Sequence, residues 1–552
     1  MLRLPLRLRL RLRLRPLLGV LLGFAALGAM AQTAAPSVQA HGHLLLVLPF
    51  ENQSSQPNLD WIGEAAADIL NRRLNSAGFL TIGRGDRLYA LDRLGLPVNF
   101  QPSRATTIRI AQTLDADDVV VGSFQVAGAN FSATARILDI NELRMGAPIA
   151  QQAALKDLLA TLNGLAWEVA RQLDPTYSVA KQTFLAADGT LPPTAFENYI
   201  RGMTAESASE RVVHLREAVR LDPGFPPAWE DLGHAYFANQ DYENAAATFG
   251  RLPADDPDAL EADFYRGLAL FYTGHYMQAE DAFAFVSRRL PLPEVVNNEG
   301  VAASRRGRDG APLFEQAIAA DARDPDYHFN LAIALRKRND VQGAIREIDT
   351  TLKLHALDTE AQGFANALRN PGAVPVNLEK GKAILDKGKA IPDDTLPLER
   401  IKRSYNETEF RQAAFELEQM QQARLAMLPA AQQAASLIAD GTQFLNRGLI
   451  LEAEREYQAA LRCDPSSAQA HAGLAAVREH SGNATAAREE AIKSLSLSPN
   501  VDAHLVLARL DLESNLLPAA ASQVSQALVI DPVNANAKGM KRALASRGQQ
   551  VP

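Results

Sequence analysis

Residues 229–257 read WEDLGHAYFANQDYENAAATFGRLPADDP. Trp229, Leu232 and Tyr236 share one face of a helix, at the spacing that a 3.6-residue turn sets. Gly233 removes a side chain from that face, so a second helix can approach. Ala245 and Phe249 supply the facing small and large partners. Asn239-Gln240-Asp241 makes the intervening turn, and Pro257 stops the second helix and starts the next pair.

The unit recurs along the chain. Pro223, Pro257, Pro291 and Pro325 are each 34 residues apart, and three of them follow an aspartate. Gly233 and Gly267, Tyr242 and Tyr276, Ala245 and Ala279, and Phe249 and Phe283 keep the same 34-residue spacing. Pro465, Pro499 and Pro532 follow at 34 and 33, and Gly448 and Gly482 at 34. One period shared by several residue types predicts roughly five helix pairs in residues 192–362 and three in 431–542, enough in each block to stack a core. Some copies are degenerate. The one opening at Ala195–Gly202 is truncated, the third is irregular at Gly310-Ala311-Pro312, and the fourth, with Phe329, Ala344 and Ile348, lacks the turn glycine.

This pattern resembles the tetratricopeptide repeat, a helix–turn–helix of about 34 residues. The resemblance implies a solenoid whose first helices line a concave groove that binds protein or peptide partners. The candidate partner-binding residues on those helices are His234, Phe237, Phe264, Phe271, Tyr272, Asn297, Arg305, Phe329 and Arg336. An aromatic stripe flanked by a few polar groups suits an extended or helical peptide. The competing reading is that these aromatics pack between neighbouring helices. Members that clamp carboxyl-terminal tails use Lys and Asn at groove positions, where this chain has Glu230 and His234.

Upstream the pattern is different. Leu44–Phe50 is a continuous apolar run, as in a strand covered on both faces. A helix follows with Asp60 as its expected cap, then a strand at Phe79–Ile82, helices near Asp86–Leu94 and Thr106–Leu114, and a hairpin from Val119–Phe124 to Phe131–Leu138. A helix over Leu155–Leu173 closes this small α/β domain, which spans residues 44–185. The motifs Leu46–Asn52 and Ala116–Phe124 resemble the TolB-like amino-terminal domain, found also in FlgO- and CsgG-type envelope proteins. That resemblance implies a non-catalytic interaction or assembly module and transfers no functional residue set.

Residues 1–31 read as a secretory signal. Six arginines between Arg3 and Arg15 precede an uncharged stretch from Leu17 to Met30, and Ala29-Met30-Ala31 offers a cleavage site after Ala31. The expectation is a cleaved leader and a periplasmic protein with no membrane span in the mature chain; the alternative is a retained anchor. Residues 32–43 are a linker. Residues 363–430 are a linker plus a long helical segment from Leu398 to Leu428 carrying Ile401, Tyr405 and Leu425, and residues 543–552 are a tail, frayed from Gly548 to Pro552.

The fold class is thus a small α/β domain followed by an all-α repeat solenoid, predominantly α overall. Aromatics are 6% and alanine dominates the apolar residues, which favours close-packed helices. The formal charge is −8, falling to −14 without the six leader arginines, and leaves no polybasic face for nucleic acid. The lone Cys463 builds no disulfide or cysteine-rich metal site and is read as packing. His41-Gly42-His43 reads as linker, Gly83-Arg84-Gly85 lacks the third glycine of a dinucleotide loop, and Gly381-Lys382 is followed by Ala383 instead of a hydroxyl. No catalytic, metal or cofactor set emerges. The expected function is an exported, non-enzymatic interaction scaffold. Its rivals are an envelope sensory module, in which the α/β domain binds a ligand and the repeats relay it, and an accessory subunit of a polymer-processing complex.

Overall fold

The computed structural model describes residues 41–98, 101–187, 191–254, 256, 258–370, 396–405, 420 and 423–551. The first part is a mixed sheet of seven strands: β1 (His41–Val47), β2 (Glu51–Asn52), β3 (Phe79–Thr81), β4 (Asp118–Ala127), β5 (Asn130–Asp139), β6 (Arg144–Met145) and β7 (Ile149–Ala154). β1 lies parallel to both β3 and β4, in register Leu45↔Asp118, Leu46↔Val119 and Val47↔Val120. β4 and β5 form the hairpin, closed at Ala127↔Asn130 around Gly128, whose φ of 61° suits the first central position of a two-residue turn.

Helices α1 (Trp61–Ser76) and α4 (Leu158–Leu173) cover one face; α2 (Arg84–Arg93) and α3 (Arg104–Thr113) cover the other. This explains the unbroken apolar run. Leu45 and Val47 pack under α1 and α4, while Leu46 and Leu48 pack with Leu91 and Ile110. Three details differ from the sequence reading. β1 starts at His41, inside the expected linker. Asp60 does not cap α1; its carboxylate accepts from Asn52 Nδ2 at 2.6 Å. β7, Ile-Ala-Gln-Gln-Ala-Ala, has weak strand propensity and is held by its ladder to β5.

After the short α5 (Lys181–Ala186), the first block runs α6 (Pro193–Thr204), α7 (Ala208–Leu221), α8 (Pro226–Ala238), α9 (Tyr242–Phe249), α10 (Ala259–Tyr272), α11 (Tyr276–Ser287), α12 (Pro293–Arg305), α13 (Ala311–Ala320), α14 (Pro325–Lys337), α15 (Val341–Leu354) and α16 (Thr359–Arg369). The second runs α17 (Ala430–Asn446), α18 (Ile450–Cys463), α19 (Ala468–His480), α20 (Ala484–Leu497), α21 (Val501–Glu513), α22 (Leu517–Ile530) and α23 (Ala535–Ser546). The glycine rule holds across units. A Cβ on Gly233, Gly267 or Gly300 would sit 2.6, 2.7 or 2.7 Å from the ring of Phe249, Phe283 or Phe314. The turn between paired helices takes a left-handed residue: Gly274, Gly307, Gly448 and Gly482 in four units, and Gln240, Asn339 and Asn515 in three. Asn339 therefore fills the place of the glycine absent from the fourth copy.

Both blocks are anchored on the α/β domain. Phe196, Tyr199 and Ile200 of α6 belong to the same apolar core as Leu70 of α1 and Leu162 of α4, and so does Leu451 of α18. Glu454 of α18 is fully buried; it accepts from Ala180 N at 3.1 Å and from Arg478 at 2.7 Å. Arg455 donates to Ser76 O at 3.4 Å. Within the expected frayed tail, Val551 packs with Val524 and Leu544. The expected helix does not begin at Leu398, because residues 397–402 are non-helical. The expected segments at 371–395 and 406–419 lie outside the described residues. Among the described residues, no helix is long and apolar enough to cross a membrane.

Candidate peptide-binding groove

Three asparagines face inward from the first helices of adjacent repeats, Asn297 and Asn298 on α12 and Asn330 on α14, and all are fully buried. What covers them is the chain's own segment, residues 396–405. Arg400 N donates to Asn330 Oδ1 at 2.7 Å, and Asn330 Nδ2 donates back to Arg400 O at 2.8 Å. Two residues on, Lys402 N donates to Asn298 Oδ1 at 2.7 Å, and Asn298 Nδ2 donates to Lys402 O at 2.8 Å. Asn297 adds a second donor to Arg400 O at 3.0 Å and accepts from Asn330 at 2.8 Å. Two side-chain amides thus do what a neighbouring strand does, pairing both main-chain groups of alternate residues.

Side chains set the register. The Arg400 guanidinium donates to both oxygens of Asp358, at 2.6 and 3.0 Å, and to Asp326 and Glu360 at 3.0 Å each. It also lies 3.6 Å from the centroid of the Phe329 ring. Lys402 Nζ reaches Asp324 at 2.7 Å and Asp326 at 2.6 Å. Glu399 is buried against Ser304, Lys337 Nζ at 2.6 Å and Arg305 Nε at 3.2 Å. Ile401 packs against the cluster of Val301 and Leu331, as do Phe271 and Leu335, Leu396 joins the cluster of Phe329 and Phe364, and the Tyr405 ring meets Phe264 at 4.9 Å.

Burial alone would raise the Glu399, Asp326 and Asp358 carboxyls, but the cations and hydroxyl bonded to them win, and all three sit below the usual carboxylate range. Burial likewise opposes charge on Arg400 and Lys402, and their carboxylate partners more than reverse it. The groove therefore holds charged groups at neutral pH.

Of the candidate residues, Asn297, Arg305, Phe329, Phe264 and Phe271 come together around this segment. Phe264, Phe329 and Asn297 are fully buried, so they are not the exposed groove residues that the sequence led us to expect. Phe237 packs edge-on with Tyr242 and Tyr265, and Tyr272 lies tilted against Tyr242 and edge-on to Phe271, so these rings continue the aromatic floor. His234 meets the rings of Phe249 and Tyr265 edge-on, and burial lowers its pKa to about 4. Arg336 is half-buried near the end of α14. Sequence reasoning missed Asn298, Asn330, Asp326 and Asp358. The 33-residue interval between Asn297 and Asn330 on successive first helices was the available signal.

A second cluster lies on α8 and α10. Glu230, His234 and Glu261 bring one possible ligand atom each within 4.8 Å of one another. Burial, with Asp258, Glu261 and Asp231 nearby, pushes the Glu230 carboxyl up to about 10, and Asp258 is also raised.

Residues 209–269 match one tetratricopeptide-repeat family model, and residues 301–356 and 439–501 match another. No curated protein matches the chain. Among solved structures, MamA from Desulfovibrio magneticus RS-1 is 19% identical, covering 30% of this chain and 99% of that one, with a TM-score of 0.28. YrrB, described as a TPR protein with an unusual peptide-binding site, is 15% identical over 31% of this chain and 90% of that one, with a TM-score of 0.29. The LpoB C-terminal domain from Escherichia coli is 18% identical over 20% of this chain and 83% of that one, with a TM-score of 0.19. The chain carries tetratricopeptide repeats in both of its helical blocks.

Proposed function

We propose that the protein is an exported, non-enzymatic interaction scaffold whose first repeat block binds an extended polypeptide in its concave groove. One observation carries the reading: Asn330 and Asn298 each pair both main-chain groups of a residue in an extended segment, two residues apart. Such amide pairing reads any backbone in that conformation, which is what a peptide site needs. The candidate residues Asn297, Arg305, Phe264, Phe271 and Phe329 form its floor; His234, Phe237, Tyr272 and Arg336 would extend it along the stack. The α/β domain is a TolB-like assembly module, a reading supported by the parallel pairing that sets Leu46 of one motif beside Val119 of the other. Export rests on the arginine-rich start and the uncharged stretch after it.

The test is the full chain with residues 396–405 replaced by a Gly/Ser stretch of equal length. A labelled peptide of the replaced sequence should bind it saturably by fluorescence anisotropy, and adding Asn298→Ala and Asn330→Ala should abolish binding. A chain that melts cooperatively yet binds no peptide would overturn the reading. The sensory alternative draws support from the buried ties of Glu454 and Arg455 to the α/β domain, which couple that domain to the second block.

A further inference from the structure

The groove is filled by a segment of the chain that carries its own recognition pattern. Its main chain is read at Arg400 and Lys402, and its side chains are read by charge: an acid meeting Arg305, Lys337 and Ser304, then two cations, two residues apart, meeting Asp324, Asp326, Asp358 and Glu360. Some of these acids also cap helices. Asp324 accepts from Asp326 N at 2.9 Å and Asp358 from Ala361 N at 2.9 Å. A capping duty explains one oxygen of each, yet Asp358 still gives both oxygens to Arg400. Leu398, Arg403 and Ser404 stay exposed, so the buried interactions concentrate on Glu399, Arg400, Lys402 and Tyr405. A segment serving merely as a connection has no need of amide pairing on alternate residues from two separate repeats.

We propose that residues 398–405 are a resident competitor for the groove, and that the partner displacing them is another protein's extended segment of the same chemistry: acid, cation, aliphatic, cation. This rests on the peptide-groove reading above. A tethered segment acts at an effective concentration in the millimolar range, so it masks the site from weak ligands and admits those that match its pattern or arrive with further contacts. The acidic wall then selects: a segment with carboxylates at the Arg400 and Lys402 positions would bring like charges against Asp326 and Asp358 and be rejected.

The experiment compares the full chain with its Arg400→Glu/Lys402→Glu variant, which leaves every groove residue in place. The probe is a labelled peptide with the sequence of residues 396–405, followed by anisotropy. The variant should bind it at least about tenfold more tightly than the unaltered chain. A probe with the same two charge reversals should bind neither. Hydrogen exchange supplies a check that needs no variant: saturating unlabelled peptide should speed exchange at the Arg400 and Lys402 amides of the unaltered chain. Equal affinity for both chains, with those amides unmoved by peptide, would overturn the competitor while leaving the peptide groove standing. Absence of binding to a well-folded variant would remove the groove reading itself. A dimer by sedimentation in which each copy's segment fills the other's groove would replace the external partner with a second copy and refute the proposal.

Discussion

Glu230 shows how a groove residue can be tuned by crowding. Its carboxyl lies among Asp258, Glu261 and Asp231, and stays protonated in the folded chain up to about pH 10, against 4.5 when unperturbed. The folded state therefore holds a proton that the unfolded state releases, and stability declines as pH rises through that interval. Glu230→Gln should flatten the decline. Melting temperatures at pH 5, 7 and 9 should fall less in the variant than in the unaltered chain; parallel curves would refute the assignment. The groove acids work the other way. Asp326 and Asp358, with Glu399 on the bound segment, are depressed, so the grip on residues 398–405 is intact at neutral pH and is lost as pH falls through their lowered values.

At the scale of the element, a repeat is a helix pair whose closest approach is a glycine under a ring. A methyl on Gly267 would lie 2.7 Å from Phe283, itself fully buried, so neither partner has room to yield. Gly267→Ala should destabilise the first block by about 1–3 kcal/mol, read as a lower denaturation midpoint; an unchanged midpoint would show that the pair can relax. This contact was legible in the sequence, because Gly233, Gly267 and their facing phenylalanines keep one period. The sandwiched strand Leu45–Val47 was legible for the same reason: burial on both faces leaves an unbroken apolar run. The groove segment was not. Ile401 and Tyr405 are four residues apart, which reads as a helix face, whereas the segment takes its pairing from asparagines 70 and 104 residues away in sequence. Of its acidic partners, Asp324 stands in the repeated Asp-Pro step, which explains it without a ligand. β7 was missed because only its partner strand makes it a strand.

For the whole molecule, the α/β domain is the common base of two repeat blocks. The second is held there through a buried group, Glu454, which accepts from the Ala180 amide and pairs with Arg478. Glu454→Ala would leave the largely buried Arg478 guanidinium without its carboxylate, at a cost of about 2–4 kcal/mol. The second block should then unfold before the rest, splitting one calorimetric transition into two; a single transition at the original temperature would contradict this docking. The groove's role depends on its holding an extended backbone at two points. Amide hydrogen exchange of the unaltered chain measures this directly. The Arg400 and Lys402 amides should exchange at least about a hundredfold more slowly than those of the exposed Arg403 and Ser404. Equal, rapid exchange at all four would show that the asparagines do not grip the segment.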